Sequence, residues 1–297
     1  MDTRQLAAFC TVVERRSFSQ AAERLGVTQP AVSLQVRALE ERLGQRLLDR
    51  SGRRVEPTEA GTRLYRNARR LLQLEEQLLE DVAAADGGGL TGTLAIGAST
   101  GPGAHLVPLL LCEFQRGHEE LHVSLSIWDT HAVSERVAER EVELGVVGAR
   151  RRHRSLAFEP LARDEIVLAV PPAHPAAGGT LAADDLRDET LIVMQEGAGV
   201  RQVVEEELRR AGLKLRTLGP KLELGLQESV KSAVAAGYGV AFISRTAIEG
   251  ELAAGTLAAA RVAGIEPSRQ LYVVRARGRP PSRAAEAFLA FARERLG

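Results

Sequence analysis

The 297-residue sequence has little cysteine and no long apolar run, and both shortages narrow the class of protein it encodes. Cys10 and Cys112 are its only cysteines, and they show neither a disulfide pattern nor a metal-ligand spacing. No stretch of about 18 uninterrupted apolar residues predicts a membrane span. The N-terminal segment has no long apolar core or small-residue cleavage site, so it does not resemble a signal peptide. We expect a reduced, cytoplasmic protein without a membrane partner.

The sequence also lacks the common nucleotide-binding and metal-binding signatures. It has neither a GxxxxGK[S/T] phosphate loop nor a credible dinucleotide-binding glycine pattern. His118 and His122 are four residues apart, but GHEELHV is typical of a helix end that enters a strand. The other four histidines form no ligand spacing. We therefore expect no metal site and no cofactor.

One enzyme signature is present and has to be weighed. Gly97–Gly101 matches G-x-S-x-G, and Ser99, Asp164 and His174 follow the chain order of α/β-hydrolases. In those enzymes, however, several strands precede the serine, whereas here one strand of the domain does. His174 lies in a loop rich in proline and glycine, and a hydrolase would leave the N-terminal segment unexplained. The sequence therefore predicts no catalytic residue.

Charge is balanced overall but unevenly distributed. The chain has 39 basic and 39 acidic residues, yet residues 1–70 hold 14 basic and 8 acidic side chains. A basic end on an acidic body predicts that one domain meets a polyanion. The densest basic run, residues 150–154, is interpreted as a solvated loop, with a second DNA or protein contact as the alternative.

Apolar spacing predicts three short helices within the first 60 residues. Ser19 is expected to cap the second helix, over residues 20–25, and Thr28 to cap the third. The third helix begins at Gln29 and tolerates Pro30 in its first turn. The buried faces of the first and third helices are predicted at Leu6, Phe9 and Val13 and at Val32, Val36, Leu39 and Leu43.

The second and third helices form a helix-turn-helix candidate. Gln29, Ser33 and Arg37 lie four residues apart on one exposed face of the third helix. Glutamine pairs with adenine, arginine with guanine, and serine with a base or a phosphate. The alternative is a polar helix face that is merely solvated.

A hairpin and a long helix are predicted next. Two short strand-like pieces flank Ser51–Gly52, and Thr58 caps a helix that continues to Val82 or beyond. Leucine repeats every seven residues in this helix, a spacing that indicates a partner helix and hence a homodimer or homotetramer. These positions are Leu64, Leu71 and Leu78, followed one residue later by Tyr65, Leu72 and Leu79. Residues 86–89 are the clearest linker.

Strands and helices alternate beyond the linker, which predicts an α/β domain with mainly parallel sheets. The predicted strands are 93–98, 122–128, 144–147, 165–170, 191–194, 240–243 and 271–274. The predicted helices are 106–115, 133–139, 201–211, 228–236 and 283–296.

The sequence resembles LysR-type transcriptional regulators over essentially its whole length. The most specific segments are SFSQAAERLGVTQPAVS, RALEERLG and R-x-x-x-PTEAG, and GTLAIGAS and AAGYGVAFISR resemble strand entries of the family's effector domain. The resemblance implies an N-terminal all-α winged helix-turn-helix with a long linker helix. A two-subdomain α/β effector domain, similar to periplasmic binding proteins, would follow.

The resemblance also implies domain limits and a function. The winged unit would occupy residues 1–58, the linker helix 59–86, a hinge 87–91 and the effector domain 92–297. Subdomain I would comprise residues 92–162 and 267–297, and subdomain II residues 163–266, with crossings near 161–163 and 265–268. Such a protein binds a double-stranded DNA operator and responds to a small molecule. A DNA-binding protein that senses nothing is the alternative, but it would have little use for a cleft.

The family's DNA-contacting positions transfer residue by residue. Gln29, Pro30 and Ser33 would lie near bases, with Arg37 on the same helix face. Leu34 stands where many members have a polar or basic residue, so any hydrogen bond to a base from that position is lost. Helix caps near phosphates and arginines of the wing complete the expected interface. These residues are Ser19, Thr28, Arg50, Arg53 and Arg54.

Effector contacts are expected where strands end and helices begin, since helix N-termini favour anions. Ser99 and Thr100 follow the first strand of the domain, and Gln195 and Gly197 lie in a loop of the opposite subdomain. That loop has Ala198 and Val200 where relatives often have hydroxyl groups, so its backbone is the expected partner. Further candidates, each with a simple helix cap as the alternative, are Thr130 and Gln227. Residues 222–245 look most like members that sense metabolites of carbon or sulfur assimilation, and we expect an anionic effector.

Overall fold

A helical unit, a long helix and an α/β region follow one another in the computed structural model of the chain, which describes residues 2–51, 54–84, 89–278 and 280–297. Most of the predicted linker lies outside the described residues, as do Gly52 and Arg53 of the predicted wing. Within these described segments, no helix is long and apolar enough to cross a membrane.

Three helices pack around one apolar core at the N-terminus. They are α1 (Thr3–Arg15), α2 (Phe18–Leu25) and α3 (Gln29–Leu43). The buried residues of this core include Leu6, Phe9, Val32, Val36 and Leu39. Leu43 was predicted to join them but is 41% exposed, because it is the last residue of α3 and lies beyond the packed turns.

The start of α2 differs from the prediction. Arg16 adopts the left-handed region at φ 52° and closes α1, so Ser17 takes the cap position and α2 begins at Phe18. The predicted cap, Ser19, lies exposed inside the first turn instead. Thr28 holds the cap position of α3 as predicted, but its side chain makes no capping hydrogen bond.

Gly61 allows the wing and the long helix to pack closely. The elements are β1 (Leu48–Asp49), its antiparallel partner β2 (Glu56–Pro57) and α4 (Glu59–Ala84). The hydroxyl of Thr58 accepts a hydrogen bond from the Gly61 amide at 3.0 Å, so the predicted cap is present. A β-carbon added at Gly61 would lie 2.0 Å from the Leu47 carbonyl oxygen, so only glycine lets α4 start this close to the wing.

The first lobe of the α/β region contains three parallel strands packed between helices. Its elements are β3 (Gly92–Ser99), β4 (Leu121–Trp128), β5 (Leu144–Val147), α5 (Thr100–His105), α6 (Val107–Arg116), α7 (Thr130–Glu139) and α11 (Arg283–Leu296). β3 pairs in parallel with both β4 and β5. Leu94 and Ile96 of β3 pack towards α6 and α11, whereas Ala95 faces α7. The short helix α5 was not predicted.

Two long strands run between the lobes. β6 (Leu156–Val170) pairs antiparallel with β12 (Ser268–Ala276). Leu156 at the start of β6 packs in the first lobe, and Ile166 and Leu168 near its end pack in the second. The two lobes are therefore connected by continuous strands.

The second lobe is assembled around β6. Its elements are β7 (Thr180–Leu181), β8 (Ile192–Met194), β9 (Leu222–Leu224), β10 (Ala241–Ser244), β11 (Ala258–Val262), α8 (Gly199–Arg210), α9 (Gln227–Ala235) and α10 (Glu249–Ala254). β10 and β11 both pair antiparallel with β6, whereas β8 and β9 form a separate parallel pair. The prediction of mainly parallel sheets is therefore wrong, because the crossing strands introduce antiparallel pairs in both lobes.

The leucine repeat of α4 has two halves with different surroundings. Leu64, Tyr65 and Leu72 pack on the N-terminal core of their own chain. Further along, Leu78 is 57% exposed, Leu79 68% and Val82 72%. A row of large apolar side chains on one helix stretch favours a partner helix.

We expect Leu71→Glu/Leu78→Glu to yield folded monomers. Both side chains are exposed, so the substitutions should change the free energy of unfolding by about 0.5 kcal/mol or less each. Charged side chains at these two positions would oppose burial of the exposed apolar side chains of α4 against a second copy of the chain. Sedimentation velocity of the double variant measures this, with Leu71→Met/Leu78→Met as the apolar control. An unchanged oligomer in the glutamate variant would show that these side chains do not form the subunit contact.

Candidate functional site

The exposed face of α3 carries a short row of polar groups. Gln29 Nε2 donates to Ser33 Oγ at 3.1 Å, and Arg37 Nε lies 2.9 Å from a Glu41 carboxylate oxygen. Leu34 is 69% exposed beside them. The row is therefore already oriented by hydrogen bonds along the helix, and these exposed bonds are exchangeable for contacts with an external partner.

The other N-terminal candidates have unequal surroundings. Thr28 and Pro30 are exposed at the start of α3, and Ser19 is exposed on α2. Arg50 is bound by its own chain, since Nη2 lies 3.2 Å from Glu40 and the guanidinium lies 4.7 Å from the centre of the Phe18 ring. Arg54 is exposed and has no hydrogen bond or ion pair with a described side chain, and Arg53 lies outside the described residues.

A buried ion pair occupies the junction of the two lobes. Arg269, on β12, donates from Nε to Asp164 Oδ2 at 2.7 Å, and their side chains are 9% and 4% exposed. Ser244, at the end of β10, donates to the other carboxylate oxygen of Asp164 at 2.5 Å. The carboxylate is thus satisfied by both lobes, and the arginine side chain is held in a fixed direction.

Glycines leave space for the Arg269 guanidinium. A β-carbon added at Gly101, Gly148 or Gly199 would lie 2.9, 3.1 or 3.0 Å from one of its terminal nitrogens. Gly101 and Gly148 belong to the first lobe, and Gly199 begins α8 of the second. Among the described residues, neither terminal nitrogen has a hydrogen-bond acceptor. The guanidinium therefore presents uncommitted donors between the lobes.

Three of the predicted effector residues lie at this junction. Ser99 is buried and its hydroxyl accepts from the Gly148 amide at 3.2 Å. Thr100 follows it, exposed, as the first residue of α5. Gln227 is buried at the start of α9, and its Nε2 has no hydrogen-bond partner in the described part of the chain. Ser99 and Gln227 thus lie beside the glycines that surround Arg269. Gln227 Oε1 would be 4.0 Å from a β-carbon added at Gly101.

The remaining three predicted residues are placed differently. Gln195 is exposed, and its backbone amide pairs with the Leu224 carbonyl. Gly197 has φ 85°, and nothing lies within 4 Å of an added β-carbon, so a side chain there would strain the backbone without approaching Arg269. The residue of this loop that approaches Arg269 is Gly199. Thr130, whose carbonyl accepts from Ser134, has no described contact with Arg269.

Sequence reasoning missed Arg269, Ser244 and Gly148, and considered Asp164 only as a hydrolase residue. A signal was available in the sequence, because Asp164 and Arg269 carry opposite charges next to the two predicted crossings. Buried strands seldom carry a charge that is not paired. That hydrolase hypothesis is contradicted by the geometry. Asp164 binds Arg269 and Ser244, while His174 Nε2 lies 3.1 Å from Glu189.

A second ionic cluster joins the lobes beside this pair. His105 Nε2 of α5 lies 3.4 Å from Glu228 of α9, which lies 3.1 Å from Lys231 Nζ. Lys231 Nζ also contacts Glu251 at 2.6 Å. Burial lowers the pKa of His105, and the positive charge of Lys231 adds to this effect. Burial alone would lower the pKa of Lys231, but hydrogen bonds to Glu251 and Glu228 outweigh it and raise the value.

The described segments support neither a reactive thiol at Cys10 nor a metal centre. Burial raises the pKa of the Cys10 thiol to about 12, so this sulfur is unreactive at neutral pH. Among these segments, no group of three histidine, cysteine, aspartate or glutamate side chains is arranged to hold a metal ion.

Family models match both parts of the chain. The model described as bacterial regulatory helix-turn-helix protein, lysR family, matches residues 3–62. The model described as LysR substrate binding domain matches residues 87–297. A protein of Cyanophora paradoxa named "Probable RuBisCO transcriptional regulator" is 36% identical over 291 residues, which cover 96% of this chain and 89% of that protein.

Solved structures resemble the chain as well. CbnR complexed with its target DNA is 25% identical with a TM-score of 0.67, and 99% of each chain is covered. The regulatory domain of CcmR from Synechocystis, in complex with 2-PG, is 26% identical with a TM-score of 0.60. That match covers 69% of this chain and 98% of the CcmR domain.

The lowered pKa of His105 predicts a pH dependence of stability. Below the unfolded pKa of about 6.5, the unfolded chain takes up a proton that the folded His105 resists. The free energy of unfolding should therefore fall as pH drops from 7 through 6, with a contribution of at most about 1.4 kcal/mol per pH unit. In His105→Gln this contribution is absent. Urea denaturation of wild type and variant at several pH values measures the difference.

The exposed residue His131 provides the control substitution, His131→Gln. A stability difference between wild type and His105→Gln that stays constant, or grows in favour of wild type, as pH falls would contradict the assignment.

Proposed function

Because the chain belongs to the LysR family of transcriptional regulators, we propose that α3 contacts an operator and that the cleft around Arg269 binds a small anion which controls this binding. Members of the family bind DNA and are not enzymes, in agreement with the partners found for Ser99, Asp164 and His174. We assign residues 1–58 to operator binding, 59–86 to subunit pairing and 92–297 to effector binding. The protein would act in the cytoplasm as a homodimer or homotetramer.

The anion proposal rests on the Arg269 guanidinium. Its Nε is committed to Asp164, while its terminal nitrogens point to glycines of both lobes. A planar guanidinium with free donors suits a carboxylate or a phosphate. The hydroxyl groups of Ser99 and Thr100 and the unpartnered Gln227 Nε2 supply further polar contacts nearby.

The comparisons suggest which anion and which genes to test first. CcmR is named with 2-PG, and a relative in Cyanophora paradoxa is named for RuBisCO regulation. We therefore propose 2-PG or a chemically similar anion as the effector, and genes of carbon fixation as the targets. The resemblance of residues 222–245 to family members that sense metabolites of carbon or sulfur assimilation is consistent with this choice.

The control mechanism follows from contacts that both lobes share. A ligand on Arg269 would touch Gly101 of one lobe and Gly199 of the other, so it binds best when the lobes are close. Such a ligand shifts the population towards that arrangement in proportion to its differential affinity. In an oligomer paired through α4, a change in lobe arrangement alters the spacing of the two α3 helices and hence the fit to half-sites.

Substitutions on α3 and the wing should separate base contacts from phosphate contacts. Gln29→Ala should cost about 1–3 kcal/mol on the preferred duplex and relax its sequence preference. Arg54→Ala should weaken all duplexes alike and reduce the slope of log affinity against log salt by about one. Fluorescence anisotropy with duplexes selected from random DNA measures both quantities. If Gln29→Ala retained wild-type affinity and preference, α3 would not contact bases through this residue.

Substitutions in the cleft should abolish the response without abolishing DNA binding. Arg269→Lys keeps a positive charge for Asp164 but loses the planar fork, and Thr100→Val removes an exposed hydroxyl. Each should weaken 2-PG binding about tenfold or more and leave operator affinity without effector within about twofold. Calorimetry with 2-PG, beside anisotropy with operator DNA, measures the two effects.

The control is Thr217→Val, an exposed threonine outside the cleft. Wild-type 2-PG affinity in both cleft variants would place the effector elsewhere. If no anion in a panel of phosphates and carboxylates raised the melting temperature of the wild-type protein, the chain would be a DNA-binding protein without this sensing function.

A further inference from the structure

A cavity of about 320 Å³ lies between the N-terminal helices and the outer face of the first lobe. Arg24 of α2 and Arg69 of α4 form one wall, and Thr93 and Ala95 of β3 form the opposite wall. Thr93 precedes Ser99 by six residues on β3, which places the cavity about 20 Å from the cleft at the other end of the strand. This cavity is therefore separate from the proposed effector site around Arg269.

The cavity walls are predominantly positive. Four arginines line it, against the single carboxylate of Glu143. They are Arg24, Arg69, Arg140 and Arg275. Glu143 is already engaged, since it accepts hydrogen bonds from the amide and the hydroxyl of Ser282 at 2.5 and 2.9 Å. An anion entering the cavity therefore meets a lining with more cationic than anionic side chains.

Two of these arginines, Arg24 and Arg69, have donors without a described acceptor. Arg69 pairs with Glu14 through Nη1 at 3.0 Å, but its Nε is buried without an acceptor among the described residues. Arg275 donates to Glu159 from Nε at 2.5 Å. Arg24 has no described partner. A buried N–H group without an acceptor costs free energy, so a ligand oxygen at this point would be favoured.

Part of the remaining lining is apolar, and contacts outside the cavity join its two sides. Leu72, Val137 and Val142 lie between the arginines. The two sides are joined outside the cavity, where Arg66 lies 3.4 Å from Glu139 and Arg70 lies 3.5 Å from the Ala138 carbonyl. A volume near 300 Å³ with apolar walls and a few convergent polar groups is typical of small-molecule sites.

We propose that this cavity is a second ligand site, which binds an organic anion with an apolar body, and that the bound ligand ties the DNA-binding unit to the first lobe. The anionic group contacts Arg24 and Arg69, and the apolar part lies against Leu72 and Val142. Because α2 and α4 move with α3, occupancy changes the freedom of the DNA-contacting helix. This inference does not depend on the cleft binding an effector.

The test uses phenyl phosphate as the probe, on the full-length protein carrying Arg269→Lys so that the cleft contributes little. Isothermal titration calorimetry should show one site. Inorganic phosphate, which lacks the apolar body, and benzyl alcohol, which lacks the charge, should each bind at least tenfold more weakly. Arg24→Gln should weaken phenyl phosphate binding at least tenfold, and Arg42→Gln, at an exposed arginine of α3 with no described partner, should not.

Thr93→Trp provides an independent variant, since the indole ring fills the cavity from the sheet without removing a charge. It should also reduce binding at least tenfold, with an unchanged circular dichroism spectrum. The proposal is overturned if phenyl phosphate does not bind the Arg269→Lys protein, or if Arg24→Gln binds it as tightly as its parent. Equal affinity for phenyl phosphate and inorganic phosphate would also overturn it, because the apolar walls would then contribute nothing.

Discussion

The ion pair between Arg269 and Asp164 holds the arrangement of the cleft. Both side chains are nearly inaccessible, and each sits on a strand that runs from one lobe to the other. Removing one partner of a buried pair typically costs about 3–5 kcal/mol, because the remaining charge stays desolvated. The pair is also the point at which Ser244 of the second lobe and glycines of the first meet. The same two charges therefore fix the strand crossing and aim the free donors of the guanidinium.

Much of the fold follows from local patterns in the sequence. The helix predicted over 283–296 and the strand over 144–147 have those bounds in the structure, and the wing hairpin and the α4 cap are confirmed. Each depends on apolar spacing and a cap or turn residue within a few positions. The full length of β6 was missed because Glu159, Pro160 and Arg163 interrupt its apolar pattern at the crossing. Two charged side chains and a proline are tolerated there because this segment spans the junction between the two cores.

The candidate cleft was predictable only where its residues are set by local structure. Ser99 and Thr100 stand at the end of a predicted strand, which a sequence pattern reveals. Arg269 and Asp164 are 105 residues apart, and nothing in either segment specifies the other. Their meeting depends on which strands pair, and the mainly parallel sheet expected from the sequence would not have paired β6 with β12. The loop at Gln195 was located correctly in the chain. The residue of this loop that lies near Arg269, however, is Gly199, at the start of α8.

The packing of α4 makes this helix a rigid connection between the expected subunit contact and the wing. Leu64 and Leu72 pack its first half on the N-terminal core, and Gly61 lets its start lie close to the Leu47 carbonyl, so the winged unit must turn with the helix. The exposed second half is free to follow a partner. Over about 39 Å, a tilt of about 5° at the far end displaces the wing by about 3 Å. That distance is comparable to the rise of one base pair, so small rotations between subunits are sufficient to change the register of α3 on DNA.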